Sequence, residues 1–446
     1  MKLFHLSTVA LVLFGAGSFS LAQDAPYDVI DQGFGKHIDR ADPLPWAMKV
    51  RSVARGPYEF WRGSRDLFYQ YAKTHFTDWS SSPQSLIPGH GDVHFGNVGS
   101  YPTAPFGTLA FGLVDFDDAA VQPFQLDLLS VYITSLLVAN ESNLSLPASF
   151  SADLVDAYRK GLLSDQPASK LLATEPEVIV TLRDAGKKYK KEMEKFTEAG
   201  RFKPTVLKDG QVTEVLRPAP GIDRRALAEA LSTAVTSSPT TGAVFNYTTP
   251  DEFERAILDV ALRTRVASSG SQGLDKLLVL MTAPIKGTDS DVIVYLKQQI
   301  PAAAERQALV LALDPTPGQR CATRALDLTR PAPLVTGAVE LAGKSYLLTI
   351  KEPWSDELDW TRIDTPETLV RYALLTATTV GSAHGQDGRS RQIAPLLTPD
   401  LTHALHTRAT AYTRFVIDAH ERFVTDTRVN KLRDVASYEL GKLTKR

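Results

Sequence analysis

Hydrophobic and polar positions change their period several times along this chain. From Pro57 to Phe76, PYEFWRGSRDLFYQYAKTHF sets aromatics among charges at helical spacing, and SSSPQS then ends the run. TLAFGLVDF, residues 108–116, is β-branched and aromatic and ends in acids, which predicts a strand carrying carboxylates at its C-terminal end. PFQLDLLSVYITSLLVAN follows as an apolar helix. Residues 175–200 are strongly charged, with KKYKKEMEKF at their centre, and predict a solvated helical insertion rather than a binding patch.

The period then shifts towards two. RVASSGSQGLDKLLVLM (265–281) predicts strand, Gly/Ser-rich turn and strand, and DVIVYLKQQ (291–299) predicts another strand. PAAAERQALVLAL predicts a helix with Pro301 at its first position, and TGAVELAGKSYLLTIKE a hairpin turning at Ala342-Gly343. ETLVRYALLTATTVGSAHG and LTHALHTRATAYTRFVIDAHERF return to helical spacing, and no repeat period is visible. The expected class is α+β, with a small antiparallel sheet lobe and a larger helical lobe. The divisions are a leader at 1–22, a helical lobe at 23–264, a sheet region at 265–355 and C-terminal helices at 356–446.

Composition narrows the class of protein without naming a chemistry. The 446 residues are 43% hydrophobic and 22% charged, an ordinary globular balance that excludes disorder and fibre. A formal charge of −2 indicates no nucleic-acid surface. MKLFHLSTVALVLFGAGSFSLAQ combines Lys2, an apolar stretch and a small-x-small site at Ser20-Leu21-Ala22, which predicts a removed secretory signal and a periplasmic or extracellular protein. No later segment is long and apolar enough to span a bilayer. Cys321 is the single cysteine, so no internal disulfide forms and C-x-x-C metal sites are excluded.

The densest chemistry is HGDVHFGN, residues 90–97. Asp92 and Asn97 have the spacing of a phosphoryl-transfer catalytic loop, in which the Asp accepts a hydroxyl proton and the Asn binds a metal on the phosphates. VDFDDA places Asp115 at a strand end, where a second Mg²⁺ ligand is needed, and Asp117 is an additional candidate ligand. Asp127, in QLDLL, falls near the start of the next helix, where a carboxylate can accept backbone N–H groups and brace the loop. His90 reads as a loop hydrogen-bonder, and His94 has an equal structural reading. Arg62 could pair with a phosphate or with Asp127.

These residues resemble the small-molecule phosphotransferases of the protein-kinase-like superfamily, and more closely a bacterial family catalogued as domain of unknown function 2252. The shared segments are FWRG (Phe60 to Gly63), GDVHFGN, DFD (Asp115 to Asp117) and SSGSQG (Ser268 to Gly273). Ser268 stands where the family favours glycine, and Gln298-Gln299 follow Lys297 where Glu-Ala is expected. The resemblance implies a two-lobed kinase-like fold that binds Mg²⁺ and ATP or another nucleotide. Its glycine hairpin and lysine follow the catalytic loop instead of preceding it, which implies a circular permutation. On that reading residues 265–351 are the nucleotide lobe, with a hinge at Glu352-Pro353-Trp354. Ser269, Gly270, Ser271, Gly273 and Lys297 contact the nucleotide, Glu305 orients Lys297, Asp92 and Lys297 are catalytic, and Asn97, Asp115 and Asp117 hold the metal.

Two other classes compete. Asp92-Val93-His94 also fits the first Asp-x-His of binuclear metallophosphoesterases, although the chain has only nine histidines and no Gly-Asn-His segment. An exported binding protein could keep a kinase-like scaffold without transfer. The small-molecule or peptide acceptor is not written in the sequence.

Overall fold

The computed structural model describes residues 25–443 apart from 105–107, 187–188, 209–210, 220, 267–269, 288 and 352–355. The expected leader at 1–22, Ser269 and the expected hinge at Glu352-Pro353-Trp354 lie outside the described residues. The fold is α+β, with antiparallel pairing throughout. No helix among the described residues is long and apolar enough to cross a membrane.

The larger core gathers helices from both ends of the chain. Phe124–Glu141 is buried on nearly every side, as its apolar sequence requires, and packs beside Pro366–His384 and Pro399–Thr425. Aromatics seal the N-terminal helices onto this bundle: Trp61 meets Phe68 at 5.1 Å and Tyr412 at 5.6 Å between ring centroids. The predicted single helix over 57–76 is two, Pro57–Gly63 and Arg65–His75, broken at Ser64.

The sheet has seven strands in the spatial order Gly337–Leu341, Lys344–Ile350, Val292–Gln299, Lys276–Met281, Ile257–Arg265, Gln211–Pro218, Thr205–Lys208. It extends upstream of the expected 265–355 region, because ILDVALRTR (257–265) alternates and pairs with the central strand at Leu277↔Leu262 and Val279↔Val260. KLLVLM is buried on both faces. Leu277, Val279 and Met281 join one hydrophobic cluster, and Leu278 and Leu280 another. The predicted hairpin turn is present, with Ala342 and Gly343 both at positive φ (51° and 73°), the geometry of a two-residue hairpin loop.

Two further expectations need correction. The helix expected from Pro301 across QALVLAL is a single turn, Ala303–Arg306. Ala308 adopts φ 52° and Leu309 N–H closes back onto Ala304 O at 2.9 Å, a reversal that ends the helix. Leu309 and Val310 then pack on the core while Leu311 and Leu313 face solvent. The charged stretch forms two helices, Pro176–Gly186 and Tyr189–Phe196.

Candidate functional site

The site begins with a ribbon. Leu86–Gly89 pairs antiparallel with Ala120–Pro123, from Leu86↔Pro123 to Gly89↔Ala120. Between them the chain makes the hairpin Val98–Ala104/Thr108–Leu113 and comes back. The loops at 90–97 and 114–119 therefore leave and re-enter the same ribbon, side by side. Val114 N–H donates to Asn97 O at 3.0 Å, and His90 Nε2 lies 2.9 Å from Val114 O. Gly91 is required where they touch: its φ is 81°, and a Cβ there would lie 1.9 Å from Asp118 O.

Asp127 braces the first loop as expected. Its oxygens accept from His90 N at 2.6 Å, Gly91 N at 3.0 Å and Gln122 Nε2 at 2.9 Å, and His384 Nε2 lies 3.1 Å away. These partners leave Arg62 out. Arg62 instead donates from Nε to His94 Nε2 at 3.3 Å. Burial opposes ionisation of Asp127, but the hydrogen bonds and charge of His384 outweigh it and hold the carboxyl below its ordinary range.

Asp92 sits between the loops. Asn97 Nδ2 donates to its backbone oxygen at 2.8 Å, and Arg65 Nε approaches Oδ1 at 3.3 Å. That contact lacks hydrogen-bond geometry, so Asp92 Oδ1 and Arg65 Nη1 are buried without hydrogen-bond partners. Burial pushes the Asp92 carboxyl up to about 7, against the pull of Arg65 and with the help of Asp118. His90 accepts from Asp92 N at Nδ1, at 3.3 Å, and meets Val114 O through Nε2, so both ring nitrogens are engaged. Burial lowers His90, and burial with Arg62 lowers His94 further.

The sheet supplies the opposite wall. Alternation along Val292–Gln299 turns Lys297 and Gln299 to the face opposite Val294 and Leu296. Lys297 Nζ lies 2.6 Å from Asp115 Oδ1 and 2.6 Å from Asp117 Oδ2, and Gln299 Nε2 donates to Asp117 Oδ1 at 2.8 Å. Burial raises the Asp115 carboxyl, but Lys297 outweighs it and holds the group at about 2. Burial and the charge of Asp115 raise Asp117. Burial lowers Lys297, yet the two carboxylates carry it well above its ordinary value. Asp115 has φ 62°, a left-handed conformation that aspartate tolerates.

Asp92, Asp115, Asp117, Gly270 and Ser271 all line one cavity of about 40 Å³. Asn97 lies behind Asp92, while Gly273 turns the hairpin at φ 99° against Ile38. Glu305 does not orient Lys297. It accepts from Ala302 N at 2.8 Å and faces Arg320 at 3.7 Å, because the preceding Asp115 and Asp117 already occupy the ammonium. Among the described residues no three His, Cys, Asp or Glu side chains are grouped to hold a metal.

Several residues escaped the sequence reading because their partners are remote. Lys49 Nζ donates to Gly270 O at 2.5 Å across 221 positions. Arg306 clamps Asp66 bidentately at 2.9 and 2.8 Å, and Asp118 accepts from Ala303 N at 2.7 Å. Arg320 donates to the carbonyls of Asp117 at 2.7 Å and Ile300 at 2.9 Å, fixing the acidic loop to the sheet. Asp118 was visible in VDFDDA and Arg65 just beyond FWRG; for Lys49, Arg306 and Arg320 no local signal exists.

A family model described as "Uncharacterized protein conserved in bacteria (DUF2252)" matches residues 41–426. The chain belongs to that family. The match takes in the segment at 90–97, the acidic loop, the Gly/Ser-rich stretch before Lys276 and Lys297 together. No curated protein and no solved structure matches the chain.

Proposed function

We propose that this cleft is a kinase-like phosphotransfer site, taking a phosphoryl group from a nucleotide to a hydroxyl acceptor, on a circularly permuted two-lobed scaffold. The observation that carries the reading is the double contact of Lys297, from the sheet, with Asp115 and Asp117, from a loop adjoining Asp92. Permutation accounts for the order: the C-terminus of the helix Pro366–His384 meets the loop at 90–97 through His384 and Asp127, where an unpermuted chain would run straight on.

The reading implies Mg²⁺, and the donor set suits it. Mg²⁺ is commonly held by one or two carboxylates plus water and phosphate oxygens rather than by a full protein cage. Asn97, Asp115 and Asp117 offer oxygen donors on adjoining loops, and the Lys297 ammonium marks a place between two carboxylates where positive charge is already stabilised. When bound there, the ion supplies charge against the phosphate oxygens.

This chain's own groups do the rest. Asp92, poised near neutrality, accepts the proton of the acceptor hydroxyl. Asn97 holds the Asp92 backbone and reaches its Oδ2 at 3.4 Å, Arg65 adds positive charge beside Oδ1, and Lys297 with Gln299 holds the acidic pair in place. A cavity of about 40 Å³ is far smaller than a nucleotide, so its walls must move apart for one to enter.

The metallophosphoesterase alternative needs histidine ligands beside Asp92. His90 has both nitrogens engaged and His94 keeps only Nδ1 without a partner, where a two-metal site needs several histidine and acid ligands, which disfavours that class.

The test is release or transfer of label from γ-labelled ATP with Mg²⁺, comparing the wild type with Asp92→Asn. Loss of a general base lowers the rate roughly 10²- to 10⁴-fold. An undiminished rate in the variant, or no turnover and no nucleotide binding by the wild type, overturns the proposal.

A further inference from the structure

The cations around the cavity are not equivalent. Arg306 is committed to Asp66 through two hydrogen bonds, and Lys297 is held by Asp115 and Asp117. Arg65 lies against Asp92, donates to Gly91 O at 3.1 and 2.7 Å, and keeps Nη1 without a partner while only 4% exposed. Arg62 lines the same cavity, half-buried, and has no carboxylate within ion-pair distance among the described residues. Its contacts are His94 Nε2 and the face of Tyr58, 5.6 Å from the ring centroid. Lys49 enters from the helix Pro43–Val53. It is 2% exposed, over the Phe34 ring at 4.3 Å, with its ammonium on the carbonyl of Gly270 in the glycine hairpin.

We propose that Lys49 and Arg62, both from the N-terminal helices, form the anion-binding pair of the cleft and hold the terminal phosphate of the ligand, while Lys297 serves as an internal counter-ion to Asp115 and Asp117. The proposal rests on the phosphate-handling reading of the cleft and moves its phosphate contacts to residues outside the sheet. A lysine gripped at 2.6 Å by two carboxylates has little charge to offer an incoming phosphate, and prising it away leaves two neighbouring acids unneutralised. Arg62 presents a planar fork, which suits two phosphate oxygens, and among the described residues no acid pairs with it. The Lys49 ammonium reaches the same cavity from the helix side with three N–H donors, so a phosphate oxygen entering the cavity can bond to it beside the Gly270 carbonyl. Arg65 Nη1, buried and unpartnered on the same wall, is a further donor for such an anion.

The experiment is calorimetric titration of the full chain with two probes, pyrophosphate alone and the Mg²⁺ complex of a non-hydrolysable ATP analogue. Proteins are the wild type, Arg62→Gln, Lys49→Met and Lys297→Met, each checked for folding by circular dichroism. Arg62→Gln is half-buried with one side-chain hydrogen bond to lose, so it keeps the test open should Lys49→Met fold poorly. Removing one charged hydrogen-bond donor weakens an anion roughly ten- to a hundredfold. We expect that loss for pyrophosphate in Arg62→Gln and Lys49→Met, and a smaller one in Lys297→Met. Wild-type protein that does not bind pyrophosphate overturns the inference, as does equal binding by wild type, Arg62→Gln and Lys49→Met. A loss confined to Lys297→Met also overturns it, while leaving phosphotransfer standing. Pyrophosphate binding that depends on Lys49 and Arg62, without any binding of the nucleotide complex, supports the anion pair and counts against the nucleotide reading instead.

Discussion

His384 Nε2 lies 3.1 Å from Asp127 Oδ2, joining the end of a C-terminal helix to the carboxylate that holds the loop around Asp92. Both residues are fully buried, and the Tyr158 hydroxyl continues the line at 2.9 Å from His384 Nδ1. A segment 257 positions away in sequence thereby sets the shape of the catalytic-loop candidate.

Asp127→Ala strands two backbone N–H groups and two side-chain donors in a dry interior. The expected cost is about 3 kcal/mol or more, measured by denaturant unfolding. Because the folded carboxyl lies below its ordinary value, its contribution is fully present above about pH 4 and is lost as pH falls further. Wild type and Asp127→Ala should therefore converge in stability in acid. A constant difference down to pH 2 contradicts the bracing role.

Asp92 behaves in the opposite sense. Its folded carboxyl is raised to about 7, so the folded state keeps a proton that the unfolded chain releases near pH 4. Wild type should lose stability relative to Asp92→Asn as pH rises from about 4 to 7, seen in paired thermal melts. As the base in transfer, the same group gives a kcat/KM that climbs with pH through about 7, and Asp92→Asn should lack that limb. A profile flat between pH 5 and 8 in the wild type removes Asp92 from the role.

Burial lowers Lys49 to about 8, with Asp118 and Asp66 pulling the other way. A lysine depressed in the folded state costs stability while charged, and that cost is relieved as pH rises from about 8 towards 10.5. Lys49→Met should therefore be more stable than the wild type near pH 7. The gap should close by up to roughly 3 kcal/mol on moving to pH 10. A gap independent of pH would show that Lys49 is not buried as a titrating cation.

Much of the site was legible where chemistry and local structure coincide. The strand Thr108–Leu113 ending towards Asp115, the apolar helix over Asp127 and the Ala342-Gly343 turn each declare themselves through period or turn residues. The helix after Pro301 was misread because the apolar run QALVLAL is satisfied by Leu309 and Val310 alone. The upstream strands were missed because residues 205–218 are polar and lie near one edge of the sheet, while ILDVALRTR mixes charges into its alternation. Gln298 and Gln299 each have a partner: Gln298 Oε1 accepts from Asp275 N at 2.9 Å and Gln299 donates to Asp117. Lys49, Arg320 and His384 could not be found locally, since each acts on residues more than 200 positions away.

The central claim is that Asp115 belongs to a divalent-ion and phosphate site facing the glycine hairpin. The most direct measurement is the thermal midpoint of wild type and Asp115→Ala, each alone, with Mg²⁺, and with Mg²⁺ plus a non-hydrolysable ATP analogue. At a ligand concentration of about 100 Kd, binding stabilises the wild type by about 2.7 kcal/mol. The account predicts that Asp115→Ala, in which Lys297 keeps Asp117 but loses one carboxylate, folds with a lower unliganded midpoint than the wild type and shows no Mg²⁺-dependent increment above it. An increment of the same size in Asp115→Ala would contradict it.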